Sequence, residues 1–281
     1  MITTNIEIAK QHLINEDIIA IPTETVYGLA GNAFNEIAIK KIFALKKRPF
    51  YNPLIVHIKS VDYLPIVAKD IPDVAMKLAN HFWPGALTLL LKKQSIVPDL
   101  VTAGKDTVAV RIPNHALTLQ LLSGLNFPLA APSANPFGSI SPTNAEHVHN
   151  YFKDDLAVIL DGGLCENGVE STIIGFENEL PVLYRLGAIS IEEIEKVVGT
   201  IKLKKHNSGT NVEAPGMLTK HYSPKTTTYL TNNISEEIKK FADKKIGLLL
   251  FKDLVNSDIK IENQEILSNS GNMKEIGRAH V

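Results

Sequence analysis

The sequence predicts an α/β protein with a twisted mixed sheet flanked by helices, followed by a linker and the start of a small Rossmann-like domain. Short apolar runs alternate with helical periodicity over residues 1–201. The last three runs, AVILDGG, ESTIIGF and VLYRLG, are joined by short glycine-containing connections, which favour a mixed sheet. A linker is predicted over residues 202–225. TTTYL, ISEEIKKFA and IGLLLF then predict strand, helix and strand in a partial second domain, 226–281.

The elements of the first domain are assigned from the period of their apolar residues. Helices are predicted near residues 6–14, 38–46, 74–82, 115–122 and 190–198, with strands near 18–21, 52–58, 86–92, 107–112, 157–163, 170–176 and 182–187. Thr143, with Glu146 three residues later, predicts the capped start of one more helix. Each strand is short, so the domain depends on many strands pairing.

Polar side chains follow the first predicted strand, residues 18–21. Pro22 ends the apolar run at Ile21, and Thr23, Glu24 and Thr25 come directly after it. Open α/β sheets bind ligands at the carboxyl ends of their strands. We therefore expect these three side chains at a ligand site.

Two cations and a serine-rich loop are further candidates for ligand binding. Lys46 continues an apolar helical stripe, so it either extends along the surface to cap the helix or points into a polar cavity. Arg48 precedes Pro49, which disfavours helix and holds Arg48 in a stiff connection. The segment PLAAPSANPFGSISPT, residues 128–143, is irregular and rich in serine. The rigid placement of Arg48 suits the binding of an anion, and the serine-rich loop is a separate candidate for ligand binding.

Composition limits the other possibilities. The 281-residue chain has a net charge of -1 and one cysteine, Cys165, which excludes an internal disulfide and a cysteine-based zinc cluster. The apolar runs ALTLLL and IGLLLF are shorter than the ~18 residues that span a bilayer, and no signal peptide is evident, so we expect a cytoplasmic protein. The first domain contains neither the G-x-x-x-x-G-K-[ST] motif nor the G-x-G-x-x-G motif, so neither a P-loop NTPase nor a dinucleotide-binding enzyme is indicated. His147 and His149 are two residues apart on a predicted helix, which disfavours a shared metal.

Several of these motifs together resemble one family. PTETVYGLAG, the K-x-R pair of Lys46 and Arg48, the NPLIVHI strand and the S-x-N of Ser133 and Asn135 resemble threonylcarbamoyl-AMP synthases of the Sua5/YrdC family. The resemblance extends from about residue 18 to 224. It implies a YrdC-like fold, the longer Sua5-type arrangement with a truncated C-terminal domain, and a nucleotidyltransferase that converts L-threonine, bicarbonate or CO2, and ATP into L-threonylcarbamoyladenylate and pyrophosphate.

The same resemblance assigns the site residues. It implies catalytic roles for Lys46 and Arg48. It implies L-threonine binding by Thr25, His57, Arg111, Ala131 and Ser171, and ATP binding by Arg48, Asn52, Thr107, Ser133, Asn135, Ser141, Arg185 and Tyr222. Mg2+ is expected with ATP because of the triphosphate, not because of a carboxylate cluster, and Glu24 and Glu170 are its weak protein candidates. No residue is assigned to a resident metal.

The family's product serves the N6-threonylcarbamoyladenosine modification of tRNA. We expect the product to pass to a tRNA threonylcarbamoyltransferase complex, with weak or no direct tRNA binding and no membrane partner. The linker is predicted to fold back over the cleft and bring Tyr222 to ATP.

Two alternatives remain open. A catalytically inactive RNA-binding module of the same fold is disfavoured by the net charge and by the lack of interleaved basic and aromatic residues. A carbamoyltransfer domain of hydrogenase maturation proteins would need cysteine-rich zinc motifs, which one cysteine cannot supply.

Overall fold

The computed structural model describes residues 1–204 and 226–271. The chain divides into two compact units, Met1–Ser223 and Pro224–Val281. Most of the predicted linker, including Tyr222 and the predicted strap over the cleft, lies outside the described residues. In the described part of the chain, no helix is long and apolar enough to cross a bilayer.

Twelve strands in the described part of the first unit form one mixed sheet. They are β1 (Ile2–Thr3), β2 (Ile19–Ile21), β3 (Gly28–Asn32), β4 (Ile55–His57), β5 (Ala68–Lys69), β6 (Leu87–Lys93), β7 (Thr107–Arg111), β8 (Leu129–Ala130), β9 (Ile159–Leu160), β10 (Thr172–Glu177), β11 (Leu180–Arg185) and β12 (Lys202–Leu203). Their order is β1-β9-β2-β3-β8-β4-β7-β6-β10-β11-β12, and β5 pairs with β6. Since β4 is parallel to β7 but antiparallel to β8, the predicted mixed sheet is confirmed.

Helices flank this sheet. They are α1 (Ile6–Ile14), α2 (Glu36–Lys46), α3 (Leu64–Val67), α4 (Asp73–Phe82), α5 (Asp99–Thr102), α6 (Ala116–Ser123), α7 (Ala145–Phe152) and α8 (Ile191–Val198). The capping prediction for α7 is one residue off. Asn144, not Thr143, is the cap, because its side-chain oxygen accepts from the backbone N–H of His147 at 2.8 Å.

The strand β3 has no clear sequence signal, because glycine lowers strand propensity. Its glycines instead permit close packing. A Cβ at Gly28 would lie 3.2 Å from Cβ of Ala131, and one at Gly31 would lie 3.2 Å from Cβ of Ala38 on α2. The tertiary fit therefore decides this strand, and β3 pairs with β2 and β8 at the centre of the sheet.

The second unit contains α9 (Ile234–Glu237), a 3-10 turn over 238–241, and the parallel pair β13 (Gly247–Leu250) and β14 (Asn263–Ile266). The predicted strand over 226–230 is wrong. These residues have no strand partner among the described residues and are largely exposed. No backbone hydrogen bonds to a neighbouring strand therefore stabilise an extended conformation there. The predicted strand at IGLLLF is present as β13.

Candidate active site

One cleft of the first unit collects most of the predicted site residues. It encloses about 570 Å³ of empty space, including its open mouth. The predicted residues that line it are Thr25, Arg48, His57, Arg111, Ala131, Ser133, Ser171 and Arg185. Strand register explains part of this convergence, because parallel pairing of β4 with β7 sets His57 beside Arg111. In the same way, antiparallel β10 and β11 bring Arg185 opposite Ile173, close to Ser171.

Arg111 is held on three sides. Its Nε donates to the carbonyl oxygen of Gly85 at 3.1 Å, and its Nη1 donates to Oγ1 of Thr25 at 2.9 Å. Its Nη2 lies 2.5 Å from Oε1 of Glu24, and both side chains are at least 95% buried. The other carboxylate oxygen of Glu24 accepts from the backbone N–H of Asn114 at 3.0 Å. Arg111 is therefore a neutralised and oriented guanidinium whose remaining N–H groups can receive a carboxylate.

The turn that carries Thr25 is built on Thr23. Oγ1 of Thr23 accepts from the backbone N–H groups of Thr25 and Val26, each at 3.2 Å, and lies 2.8 Å from Oγ1 of Thr25. This side-chain turn fixes the backbone at the carboxyl end of β2. The predicted ligand site at this strand end is thus formed by a rigid turn.

His57 is 3% exposed beside Arg111. Burial, followed by the nearby charge of Arg111, lowers its pKa to about 3, so the ring is neutral at physiological pH. Its Nδ1 is buried without a hydrogen-bond partner in the described part of the chain. A neutral imidazole with an unused nitrogen can hydrogen-bond a substrate hydroxyl or amine.

Arg48 supplies another cation to the cleft. The helix α2 is capped at its carboxyl end by Lys47, whose left-handed backbone (φ 52°) turns the chain. The Arg48 guanidinium then donates to the carbonyl oxygens of Asn52 at 3.1 Å and Pro53 at 2.7 Å. Burial, followed by the nearby charge of Arg185, lowers the pKa of Arg48 to about 9, so it still carries its charge at neutral pH. The predicted rigid placement of this cation is what these two contacts produce.

Arg185 is fixed in the cleft by its hydrogen bonds to Ser171. Its Nε and Nη2 donate to the carbonyl oxygen of Ser171 at 3.1 and 2.8 Å, and Nη2 also lies 3.1 Å from Oγ of Ser171. Oγ of Ser171 in turn lies 2.7 Å from Oγ1 of Thr88, a fully buried residue on β6. A predicted ATP contact and a predicted threonine contact therefore share one hydrogen-bond network.

Lys46 does not line the cleft. It is 1% exposed, and its Nζ donates to the carbonyl oxygens of Ser133 and Asn135, each at 2.5 Å. Burial is the main reason that its pKa lies well below the usual lysine value. Of the two orientations that the sequence leaves open, the structure has the inward one. Lys46 joins the K-x-R segment to the S-x-N segment.

The remaining predicted residues have different positions. Asn52 and Asn135 are buried, and the side-chain oxygen of each has no partner among the described residues. Ser141 donates from Oγ to Oε1 of Glu170 at 2.6 Å. Thr107 begins β7 and does not line the cleft; it is four residues from the end of the strand, about 13 Å at ~3.3 Å per residue.

Sequence reasoning missed some residues that shape the cleft. Thr88 and the carbonyl of Gly85 have no local signal. Gly187 follows Arg185, and a Cβ there would lie 2.3 Å from the carbonyl carbon of Ser171 and 2.4 Å from the carbonyl oxygen of Glu170. Only a glycine permits this approach, and only the folded structure reveals it.

The described residues contain no group of three or more His, Cys, Asp or Glu side chains that could hold a metal by themselves. Of the two predicted magnesium candidates, Glu24 is engaged by Arg111 and Asn114, whereas Glu170 lines the cleft. Cys165 is buried, and burial raises its pKa to about 12, so it remains a thiol.

The fold and the cleft define a class of protein: an α/β protein whose cleft is lined by three arginine side chains, Arg48, Arg111 and Arg185. A family model named Sua5/YciO/YrdC, described as telomere recombination, matches residues 11–187. A second model, described as the C-terminal domain of threonylcarbamoyl-AMP synthase, matches residues 189–279. The chain belongs to this family.

Curated relatives carry the same family name. The threonylcarbamoyl-AMP synthase of Pyrococcus abyssi is 45% identical over 257 residues, which cover 87% of this chain and 76% of the relative. The Bacillus subtilis threonylcarbamoyl-AMP synthase is 44% identical over 230 residues, covering 81% of this chain and 66% of the relative. This chain therefore spans about two-thirds to three-quarters of the length of these relatives.

A solved structure confirms the likeness in three dimensions. The crystal structure of Pyrococcus abyssi Sua5 complexed with L-threonine superposes with a TM-score of 0.89 at 41% identity, covering 97% of this chain and 82% of that one. At this identity the likeness extends to sequence as well as to fold.

Proposed function

We propose that this chain is a nucleotidyltransferase that forms L-threonylcarbamoyladenylate from L-threonine, bicarbonate and ATP, releasing pyrophosphate and water. The observation that carries the proposal is the presence, in one cleft, of the oriented guanidinium of Arg111 together with two further arginines, Arg48 and Arg185. Family membership supports the same activity. The reaction must hold an amino acid and a triphosphate together, and the cleft offers a cationic site for each.

Arg111 is the residue we assign to the carboxylate of threonine. Because Glu24 already balances its charge, the site favours an overall neutral amino acid over a free anion. Thr25, His57 and Ser171 supply hydroxyl and imidazole groups for the amine and hydroxyl of the substrate. Ala131 lines the same cleft and leaves room for the methyl group.

Arg48 and Arg185 are assigned to the phosphates. In the proposed reaction, bicarbonate takes up the proton that the threonine amine releases and loses water to become CO2, and the threonine nitrogen forms a C–N bond to the carbon of that CO2. An oxygen of the resulting carbamate attacks the α-phosphorus, and the bond to the pyrophosphate oxygen breaks. Fixed guanidinium groups stabilise the charge that spreads over the phosphate oxygens in such a transition state. Ser133, held by Lys46, provides a hydroxyl at this end of the cleft.

Mg2+ fits this arrangement as a companion of ATP. Its preferred ligands are oxygens, often one or two carboxylates together with substrate phosphates. Glu170 would hold it, and when bound it would neutralise phosphate charge.

The product is a mixed anhydride that reacts with water, so it must be used soon after it forms. We propose that a tRNA threonylcarbamoyltransferase complex consumes it, and that the enzyme acts in the cytoplasm without strong tRNA binding of its own. The alternative of an inactive RNA-binding module has no support from a specific contact in the cleft.

Pyrophosphate release tests the proposed function. Purified protein should release pyrophosphate from ATP only when threonine and bicarbonate are both present. Valine lacks the hydroxyl and should react far more slowly than threonine, whereas serine lacks only a methyl group and should lose about 10-fold. Release that is equal with threonine, valine and alanine would contradict the assignment.

A matched pair of variants tests the phosphate site. Arg48→Ala removes a guanidinium from the cleft and should lower turnover by about 100-fold or more. Lys40→Ala removes a cation from the exposed face of α2, where Lys40 pairs with Glu36 at 3.3 Å, and should behave like the parent. Parent-like turnover of the Arg48 variant at saturating ATP would exclude Arg48 from the site.

A further inference from the structure

Glu170 is the only carboxylate that lines the cleft in the described part of the chain. It stands directly before Ser171, and its backbone carbonyl accepts from the N–H of Ala188 at 2.9 Å, which anchors the residue at the start of β10. Its Oε1 accepts from Oγ of Ser141 at 2.6 Å. The carboxylate is therefore oriented and not a freely moving surface group.

Cations surround Glu170 without pairing with it. Its charge acts on Arg185 and Lys46, raising the pKa of each against the effect of burial. Yet, within the described residues, no lysine or arginine forms an ion pair with this carboxylate. Ser141 engages one oxygen, and no described group donates to the other. One carboxylate oxygen thus remains available at the phosphate end of the cleft.

A carboxylate in this position is unfavourable for binding ATP alone. Like charges a few Å apart repel strongly where water is excluded. A divalent cation between the carboxylate and the phosphates reverses the sign of the interaction. Mg2+ prefers oxygen ligands, and one carboxylate together with the phosphates would supply them. Since the described residues contain no larger acidic cluster, we infer that the ion arrives with the nucleotide.

We propose that Glu170 is the protein ligand for the Mg2+ ion that accompanies ATP, and that Ser141 orients it for this role. The proposal rests on the proposed function, since it concerns the same nucleotide site. Glu24, the other candidate carboxylate, is excluded because its two oxygens are used by Arg111 and Asn114.

The test compares nucleotide binding with and without metal. Glu170→Gln keeps an oxygen that can accept from Ser141 but removes the charge, and Glu170→Asp keeps the charge on a shorter side chain. Glu179→Gln, in the exposed turn between β10 and β11, is the matched control for the loss of one charge. Calorimetry measures the affinity of each protein for a non-hydrolysable ATP analogue with Mg2+ and with EDTA. The resonance of free Mn2+ measures metal binding to the protein–nucleotide complex directly.

In the parent and in Glu179→Gln, the metal should strengthen nucleotide binding. In Glu170→Gln this gain, and the Mn2+ affinity of the complex, should fall by about 10-fold. Glu170→Asp should lose less, and binding in EDTA should be equal to the parent's or tighter in Glu170→Gln, because a repulsive charge is gone.

A loss of metal-dependent gain below about threefold in Glu170→Gln overturns the proposal. Tighter nucleotide binding by Glu170→Gln than by the parent in the presence of Mg2+ also overturns it. Glu170 would then be a counter-charge to the neighbouring cations, displaced when phosphate binds. If the parent binds ATP but Glu170→Gln shows the parent's metal dependence, only this inference fails. If the parent binds no ATP under either condition, the proposed function fails with it.

Discussion

The ammonium group of Lys46 at the end of α2 donates a hydrogen bond to the carbonyl oxygen of Ser133, 87 residues further along the chain. A second bond goes to the carbonyl oxygen of Asn135. These contacts join the K-x-R and S-x-N motifs, which we assign to the phosphates of ATP. A buried lysine whose donors end on backbone carbonyls acts first on the shape of the site.

The position of Lys46 leads to a stability prediction. Lys46→Met fills similar space but leaves two buried carbonyl oxygens without a donor, so the free energy of unfolding should fall by roughly 2–4 kcal/mol. Lys41→Met, on the same helix, breaks a partly exposed pair with Asp17 and should cost less than about 1 kcal/mol. Urea unfolding measures both. If Lys46→Met lost activity at parent-like stability, Lys46 would act on the substrate directly, as its predicted catalytic role requires.

Glu24 should determine the affinity for threonine through Arg111. Glu24→Gln removes the charged partner of Arg111 but can still accept from the backbone of Asn114. Removing one partner of a buried ion pair leaves the other charge uncompensated, so Arg111 should be less well held and KM for threonine should rise about 10-fold. KM for ATP should not change, and Glu16→Gln, at an exposed site, should match the parent. An equal rise in both KM values would indicate general loss of structure instead.

Gly187 should tolerate no side chain. In Gly187→Ala, the new Cβ would overlap the backbone of Glu170, Ser171 and Thr172, so this segment must move and carry two cleft residues with it. We expect a stability loss above about 2 kcal/mol together with weaker binding of both substrates. Gly124→Ala is the control, because its Cβ would have only an ordinary contact, 3.5 Å from the carbonyl oxygen of Leu121. Differential scanning fluorimetry followed by binding assays separates the two variants. A melting temperature of Gly187→Ala equal to that of the parent would show that the segment from Glu170 to Thr172 can shift without loss of stability.

His57 should make the native state sensitive to mild acid. Its pKa is about 3 when folded and about 6.5 when unfolded, so between these values only the unfolded state binds the proton. The contribution of the neutral ring is complete above pH 6.5 and is lost as the pH falls towards 3. The slope for one proton is about 1.4 kcal/mol per pH unit.

Urea unfolding at several values between pH 7.5 and 4.5 checks this prediction. The parent should lose stability more steeply than His57→Gln, by roughly that slope below pH 6. Other titrating groups are shared by the two proteins and cancel in the comparison. Parallel curves would mean that His57 is protonated in the native state.

The sequence by itself determined the α/β class, most of the strands and helices, and, through the family resemblance, many of the residues that meet in the cleft. These features have local chemical signals: apolar periods of two and near four residues, proline and glycine at strand ends, and the short K-x-R and S-x-N motifs. The predicted strand at residues 226–230 was wrong because no neighbouring strand among the described residues pairs with it. The predicted cap at Thr143 was wrong because Asn144, one residue later, caps the helix instead. The magnesium assignment and the contacts of Tyr222 stay predictions.

Only the tertiary structure decided how the site residues act on one another. The bonds of Lys46 to Ser133, of Arg111 to Thr25 and of Thr88 to Ser171 each join residues more than 80 positions apart. Such contacts depend on the order and register of the strands, and no local pattern encodes these, because each strand is too short to specify its partner. The same register brings Gly187 against the backbone of Ser171, and the pairing of Glu24 with Arg111 leaves Glu170 as the available carboxylate of the cleft.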